Sequence, residues 1–208
     1  MNQEKIWDEI AEPWQNYRKA TFIEAIKFLK KQKGNVLDLG CGPGKYFVKF
    51  PGTIYAVDFS KKMLELAESY AKEEKINVKL FKSSLDNLLF EDNFFNAAIF
   101  IAALHCVETG KKRENAVREL FRVLKPNAEA IVTVWDKDQK RFRNKPKENY
   151  IPWTKGGKKY MRYYYLYDKD EIVNLFKKTG FEIIKIYDKE AKHLNYSQKN
   201  IILRVKKP

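Results

Sequence analysis

The chain has 208 residues, 41 Lys and Arg against 27 Asp and Glu for a formal net charge of +14, and 44% hydrophobic residues. That length suits a single domain with a sizeable core, and the hydrophobic fraction excludes a disordered chain. No apolar run approaches the ~20 residues a membrane helix needs, and the opening MNQEKIWDEI lacks the basic and apolar regions of a signal peptide. Two cysteines, Cys41 and Cys106, are too few for a disulfide framework or a zinc site. A reduced, cytoplasmic protein without membrane association or metal is therefore expected. The basic excess suits a polyanionic partner. Lysine-rich surface composition gives the same total, so the position of the charge decides more than its sum.

Residues 5–17 carry Ile6, Trp7, Ile10, Ala11, Trp14 and Tyr17 at helical spacing, and residues 21–33 repeat the pattern with Phe22, Ile23, Ile26, Phe28 and Leu29 before Gly34. Two helices over residues 1–33 thus precede the first strand. They are expected to lid a ligand, and packing on the sheet edge fits the pattern equally well. The first strand, residues 35–39, runs into VLDLGCGPG at residues 36–44, where Asp38 is followed by Gly40, Gly42 and Gly44. A strand, glycine turn and helix bring the backbone of an α/β domain close to a nucleotide-like ligand. A dinucleotide fingerprint would need glycine at Lys45. A phosphate loop would need glycine at Leu39 and a hydroxyl at Tyr46, so both are excluded. The acid-x-Gly-x-Gly-x-Gly pattern resembles the cofactor loop of class I S-adenosylmethionine (SAM) methyltransferases.

A short helix is expected around residues 45–49, then strand two over 53–57, ending in Asp58. An acid 18 residues beyond Gly40 is placed to accept hydrogen bonds from ribose hydroxyls, with Phe59 beside it. Ser60 reads as the N-cap of a helix with Met63, Leu64, Ala67, Tyr70 and Ala71 on its apolar face. Strand three spans 78–81. The methyltransferase pattern commonly has an adenine-binding acid after it, and Ser84 stands in that place, so adenine recognition falls to Ser84, the Leu85 amide or Asp86. Strand four, residues 97–102, is apolar throughout, as a central parallel strand should be, and runs through Ala102 into Leu104-His105-Cys106. A helix over 111–124 ends before Pro126, and strand five spans 128–135. A last helix over 169–179 stops at Gly180, and runs at 181–187 and 201–205 suit a closing antiparallel pair. The expected architecture is one Rossmann-like α/β domain over 1–208 with a mostly parallel seven-stranded sheet and an antiparallel C-terminal hairpin.

Between strand five and the last helix lies an insertion, residues 136–168, that is both basic and aromatic. Residues 137–162 contain ten Lys and Arg against Asp138 and Glu148, +8 of the chain's +14. Phe142, Tyr150, Trp153, Tyr160, Tyr163, Tyr164, Tyr165 and Tyr167 are interleaved with them or follow. Basic side chains hold phosphates while aromatic faces stack on splayed bases, the combination expected for RNA. A solvated loop whose tyrosines pack on the body is the plainer alternative.

Several stretches narrow the resemblance. IWDEIAEPWQNYR at 6–18, IAALHCV at 101–107, VWDKDQ at 134–139 and IPWTKGGKKYMRYYYLY at 151–167 resemble, in this order, segments of the tRNA wobble-uridine carboxymethyl methyltransferases. Cys106 and Tyr165 stand where that family usually has histidine. The resemblance implies esterification of the carboxylate of 5-carboxymethyluridine at the tRNA wobble position. It implies SAM held by Asp38, Gly40, Cys41, Gly42, Gly44, Asp58, Phe59, Ser84, Leu85 and Ala102. As catalytic residues it suggests Arg162 or Arg18 on the carboxylate and His105 as its orienting group. Trp135, Trp153, Tyr163, Tyr164 and Lys158 would contact the RNA. A carboxylate is already a nucleophile at neutral pH, so no general base is required. Family members usually work with a small zinc-binding activator protein, expected here at the free edge of strand three. A small-molecule methyltransferase of the quinone type and a non-catalytic RNA-binding subunit are the competing readings.

Overall fold

The computed structural model describes residues 1–17, 21–187 and 199–208. Arg18, one of the two expected carboxylate clamps, lies outside the described residues. The chain order is α1 (Gln3–Tyr17), α2 (Ile23–Lys30), β1 (Gly34–Leu39), β2 (Gly52–Asp58), α3 (Lys61–Glu73), β3 (Val78–Lys82), β4 (Phe95–Ile101), α4 (Gly110–Val123), β5 (Leu124–Trp135), β6 (Glu148–Lys155), β7 (Lys158–Tyr165), α5 (Lys169–Thr179), β8 (Glu182–Ile186) and β9 (Asn200–Lys206). Seven strands form one sheet in the order β3-β2-β1-β4-β5-β9-β8. Pairing is parallel from β3 through β5, and β9 runs antiparallel to both β5 and β8. This is the Rossmann-like methyltransferase architecture, and its order reverses at β1, where β2 and β4 flank it. Ligands bind outside the carboxyl ends of strands at such a switch point.

The central strands are apolar because helices cover both faces. On one face Leu37, Leu39, Phe100 and Val132 pack with Leu120 of α4 and Phe176 of α5. On the other, Val36, Ile99, Ile131 and Ile202 pack with Phe22, Ala25, Phe28 and Leu29. The second contact makes α2 a core helix on the sheet, whereas α1 packs on α3 and the hairpin. The segment expected as a helix around residues 45–49 is instead two successive turns, with Gly44 N–H donating to Cys41 O and Phe47 N–H to Gly44 O. Its consecutive rings Tyr46 and Phe47 are buried in different clusters, which a single amphipathic helix face cannot satisfy.

The basic-aromatic insertion folds as a separate antiparallel hairpin, β6-β7, closed by Gly156-Gly157 with φ of +55° and +75°. Two consecutive positive-φ residues are what a two-residue hairpin turn requires, and glycine supplies them without steric cost. Strand alternation then sorts the aromatics. Arg162 and Tyr164 face α1, where Tyr164 packs with Trp7 and Ile10. Tyr163 and Tyr165 face α4, where Arg113 donates to the Tyr163 hydroxyl at 2.7 Å and lies 3.8 Å over the Tyr165 ring. The lysines of the turn, Lys155, Lys158 and Lys159, are exposed.

Candidate active site

The glycine loop is fixed by the end of β2. Val57 O accepts from both Gly40 N–H (2.8 Å) and Cys41 N–H (3.0 Å), and Gly42 N–H donates to Asp58 Oδ2 at 2.9 Å. The three glycines do different work. A Cβ on Gly40 would lie 2.3 Å from Ala103 Cβ, so this position keeps room for the β4–α4 connection. A Cβ on Gly44 would strike the Phe47 ring at 2.7 Å. At Gly42, φ is +53° and a Cβ would meet nothing within 4 Å, because the residue borders open cavity. Gly40→Ala is therefore expected to cost about 3 kcal/mol of stability through clash and positive φ. Gly42→Ala should cost only about 1 kcal/mol, yet weaken cofactor binding. Thermal unfolding with and without S-adenosylhomocysteine checks both.

That cavity, about 380 Å³, lies over the carboxyl ends of β1, β2 and β4. Gly40, Cys41, Gly42, Asp58, Phe59, Ser84, Leu85 and Ala102 line it, so most of the expected cofactor residues converge. Asp38 and Gly44 lie outside its wall. Asp38 sits near the end of β1, 3% exposed, and its Oδ2 is buried without a hydrogen-bond partner among the described residues. Burial, then repulsion from Asp58, pushes its carboxyl up to about 8. Asp58 is pushed up to about 6 by burial, against the lowering effect of the Ser60, Gly42 and Phe59 backbone N–H groups. Two acids held above their ordinary range, one with an unused oxygen, fit a ligand that brings a cation and hydroxyl donors. The methionine ammonium and ribose of SAM are such groups, and the open cradle at Gly42 leaves room for them.

The opposite wall comes from the connection after β4 and from α1. Ala102 (φ +55°) and Thr109 (φ +62°) bracket that connection, both in a backbone region unfavourable to residues with a Cβ. Ala102 N–H is held by the carbonyl (3.1 Å) and hydroxyl (3.0 Å) of Thr133. Cys106, Val107 and Glu108 line the cavity, as do Gln3, Trp7 and Trp14 of α1.

His105 does not line it. The imidazole is 1% exposed, packs beside both Trp135 and Tyr164 with ring centroids 5.2 and 5.5 Å away, and its Nδ1 accepts from Trp135 N–H at 3.1 Å. A neutral ring accepting there carries its proton on Nε2. Trp135 and Tyr164 stack on each other at 4.1 Å and 3°, and Arg141 lies 4.3 Å over Trp135. Tyr163 is buried. The rings expected to meet bases at Trp135, Tyr163 and Tyr164 are thus engaged within the fold, while Lys158 is exposed at the hairpin turn.

Arg162 occupies the most informative position. It is 5% exposed, and its guanidinium carbon lies 5.0, 5.2, 5.9 and 5.2 Å from the rings of Trp14, Trp153, Trp7 and Tyr164. Nη1 donates to the Tyr164 hydroxyl at 2.8 Å. Its Nε, like the neighbouring Trp7 Nε1, is buried without an acceptor among the described residues. Among the described residues no carboxylate pairs with it. Trp7 and Trp14 form walls of both this recess and the cofactor cavity, so the two adjoin. Arg162 is legible in the sequence, and the repeat of Trp7 and Trp14 on a helix expected to lid a ligand is the signal for the recess that surrounds it.

The fold and the cavity at its switch point have the architecture of the class I SAM-dependent methyltransferases. Residues 36–127 match the Methyltransferase domain family model. A SAM-dependent methyltransferase from Methanosarcina mazei superposes with a TM-score of 0.72 over 88% of this chain and 96% of that one, at 22% identity. Within the class, the chain resembles the tRNA carboxymethyluridine methyltransferases. It is 30% identical over 138 residues to the tRNA (carboxymethyluridine(34)-5-O)-methyltransferase of Arabidopsis thaliana, covering 65% of this chain and 33% of that protein. It is 27% identical over 216 residues to the Schizosaccharomyces pombe protein of the same name, covering 89% and 91%. The chain spans about a third of the length of several curated relatives it matches, among them the Bos taurus "Probable tRNA methyltransferase 9B" at 32%.

Proposed function

We propose that this protein methylates the carboxylate of 5-carboxymethyluridine at the wobble position of tRNA, giving the methyl ester 5-methoxycarbonylmethyluridine. The observation that carries the reading is the buried Arg162 guanidinium beside the cofactor cavity, whose Nε and the adjacent Trp7 Nε1 are donors without an acceptor among the described residues. Unsatisfied buried donors and an unpaired cation call for an anionic acceptor. A planar guanidinium matches a carboxylate. The names of the Arabidopsis and fission-yeast relatives support the same substrate.

Bound SAM supplies an electrophilic methyl on a sulfonium, which a carboxylate oxygen can take with no proton transferred. The protein therefore has to hold the acceptor in line and keep water out. Arg162 and Trp7 hold and partly desolvate the carboxylate, with Arg18 as a second expected clamp. His105 acts through its stack, fixing Trp135 and Tyr164 and so the Tyr164 hydroxyl that orients Arg162. Cys106, in the cavity wall, flanks the reacting groups. The Trp14–Trp153 edge contact, 5.3 Å between centroids, takes the place assigned above to base-stacking rings. Lys155, Lys158 and Lys159 meet phosphates of the anticodon loop. The exposed edge of β3, outermost in the sheet, takes the activator protein.

The test is methylation of an anticodon stem-loop bearing carboxymethyluridine with radiolabelled SAM. The expected product is labile to mild base and its formation falls steeply with salt. A base-stable label, or transfer only to small molecules, would overturn the reading.

A further inference from the structure

Helix α1 touches both halves of the site through specific polar contacts. On the cofactor side, Asp58 Oδ1 accepts from Ser60 N–H at 2.9 Å, and the Ser60 hydroxyl donates to Asp8 Oδ1 of α1 at 2.6 Å. The same Asp8 oxygen accepts from Lys62 N–H at 3.1 Å, at the first turn of α3. Since Gly42 N–H binds the other Asp58 oxygen, one hydrogen-bonded chain runs from the glycine loop through Asp58 and Ser60 to α1. On the acceptor side, the Gln3 amide brackets Arg162. Its Oε1 accepts from Tyr163 N–H at 2.9 Å, and its Nε2 donates to Met161 O at 3.3 Å.

A third contact comes from Pro13, which sits inside the helix and has no N–H to give to Glu9 O four residues back. Lys155 of the hairpin fills that carbonyl, its Nζ donating at 2.8 Å. Between these contacts the same helix presents Trp7 and Trp14 to the cofactor cavity and to Arg162.

We infer that Asp8 and Gln3 are positioning residues, and that through them α1 couples cofactor binding at Asp58 to acceptor binding at Arg162. The acceptor half rests on the carboxylate reading above; the cofactor half does not. A helix seated by Asp8 beside an occupied ribose site also seats Gln3, and with it the strand carrying Arg162. Each ligand then binds better in the presence of the other, by the same factor.

The experiment measures S-adenosylhomocysteine affinity by calorimetry for wild type, Asp8→Ala, Asp8→Asn and Gln3→Ala, each with and without the carboxymethyluridine stem-loop. Asp8→Ala is expected to weaken S-adenosylhomocysteine about tenfold, while Asp8→Asn, whose amide oxygen still accepts from Ser60, stays within about threefold. Gln3 also borders the cofactor cavity, so Gln3→Ala should weaken S-adenosylhomocysteine less than Asp8→Ala does and raise the acceptor KM severalfold. The stem-loop should tighten S-adenosylhomocysteine about fivefold or more in wild type, and by nearly nothing in Asp8→Ala or Gln3→Ala. Equal losses in Asp8→Ala and Asp8→Asn, or an Asp8→Ala affinity within twofold of wild type, would overturn the role of Asp8. Full coupling in both alanine variants would overturn α1 as the link. Should the stem-loop fail to bind wild type at all, the acceptor reading and the coupling drawn from it fall together, and the Asp8 pair still decides the cofactor half.

Discussion

Arg162→Met is expected to lower methyl transfer to the carboxylate acceptor by about 10²–10³-fold in kcat/KM while leaving S-adenosylhomocysteine affinity within about threefold. Methionine keeps much of the side-chain stem and deletes the charge. The loss falls on the acceptor because the guanidinium donors sit in the tryptophan recess rather than along the glycine loop. Stability gives the second half of the expectation. A cation 5% exposed with no carboxylate partner among the described residues carries a desolvation cost, which the surrounding rings offset in part. Removing it should change unfolding free energy by only about 1 kcal/mol. An inactive variant that melts with the wild type separates a ligand-binding role from a structural one. Arg162→Lys, which keeps charge but loses the planar fork, should fall between the two. Wild-type turnover by Arg162→Met would remove the carboxylate clamp from the mechanism.

Cofactor affinity is expected to rise with pH between about 6 and 8, approaching tenfold per unit, and to level off above. The reason is the pair Asp38 and Asp58, pushed up to about 8 and about 6, chiefly by burial. An ammonium at Asp38 and hydroxyl donors at Asp58 favour the ionised carboxylates, so binding near pH 7 releases close to one proton. Calorimetry of S-adenosylhomocysteine in buffers of differing ionisation enthalpy reads that proton directly. The ligand-free protein responds in the opposite direction. Both folded values exceed the ordinary 3.8, so the stability these groups contribute is fully present below about 3.8. It is lost as pH rises through about 6 and about 8. The melting temperature of the ligand-free protein should accordingly fall across this window, and saturating S-adenosylhomocysteine should flatten the fall. Asp38→Asn should remove the upper part of both effects. An affinity that is flat from pH 6 to 8 would show that the ligand leaves these carboxyl groups as it finds them.

Much of the cofactor side was legible because it depends on local backbone chemistry. Glycines at 40, 42 and 44 after an apolar strand, and an acid closing the next strand, are consequences of turn geometry and strand length that do not need distant contacts. The structure accordingly puts Gly42, Asp58, Ser84, Leu85 and Ala102 around one cavity. The short helix expected after the loop does not form, because Tyr46 and Phe47 are apolar neighbours whose burial is decided by two different clusters. On the acceptor side the residue types were visible and their directions were not. Tyr163 and Tyr164 are adjacent in an aromatic run that suggests a stacking surface, yet one faces Arg113 and the other Trp135.

The sequence by itself determined the chain order of the seven strands of the main sheet, the glycine loop with the acid that closes the next strand, and the concentration of positive charge in the insertion. These follow from hydrophobic period, glycine conformational freedom and composition. Only the tertiary structure decided that α1 and α2, alike in pattern, separate into a cavity-lining helix and a core helix. It also decided that the insertion is a hairpin with opposite faces, and that Arg162 is a buried cation among tryptophans from two separate segments. Such facts depend on which element covers which face, and desolvation of a charge is a property of what packs around it rather than of its neighbours in the chain.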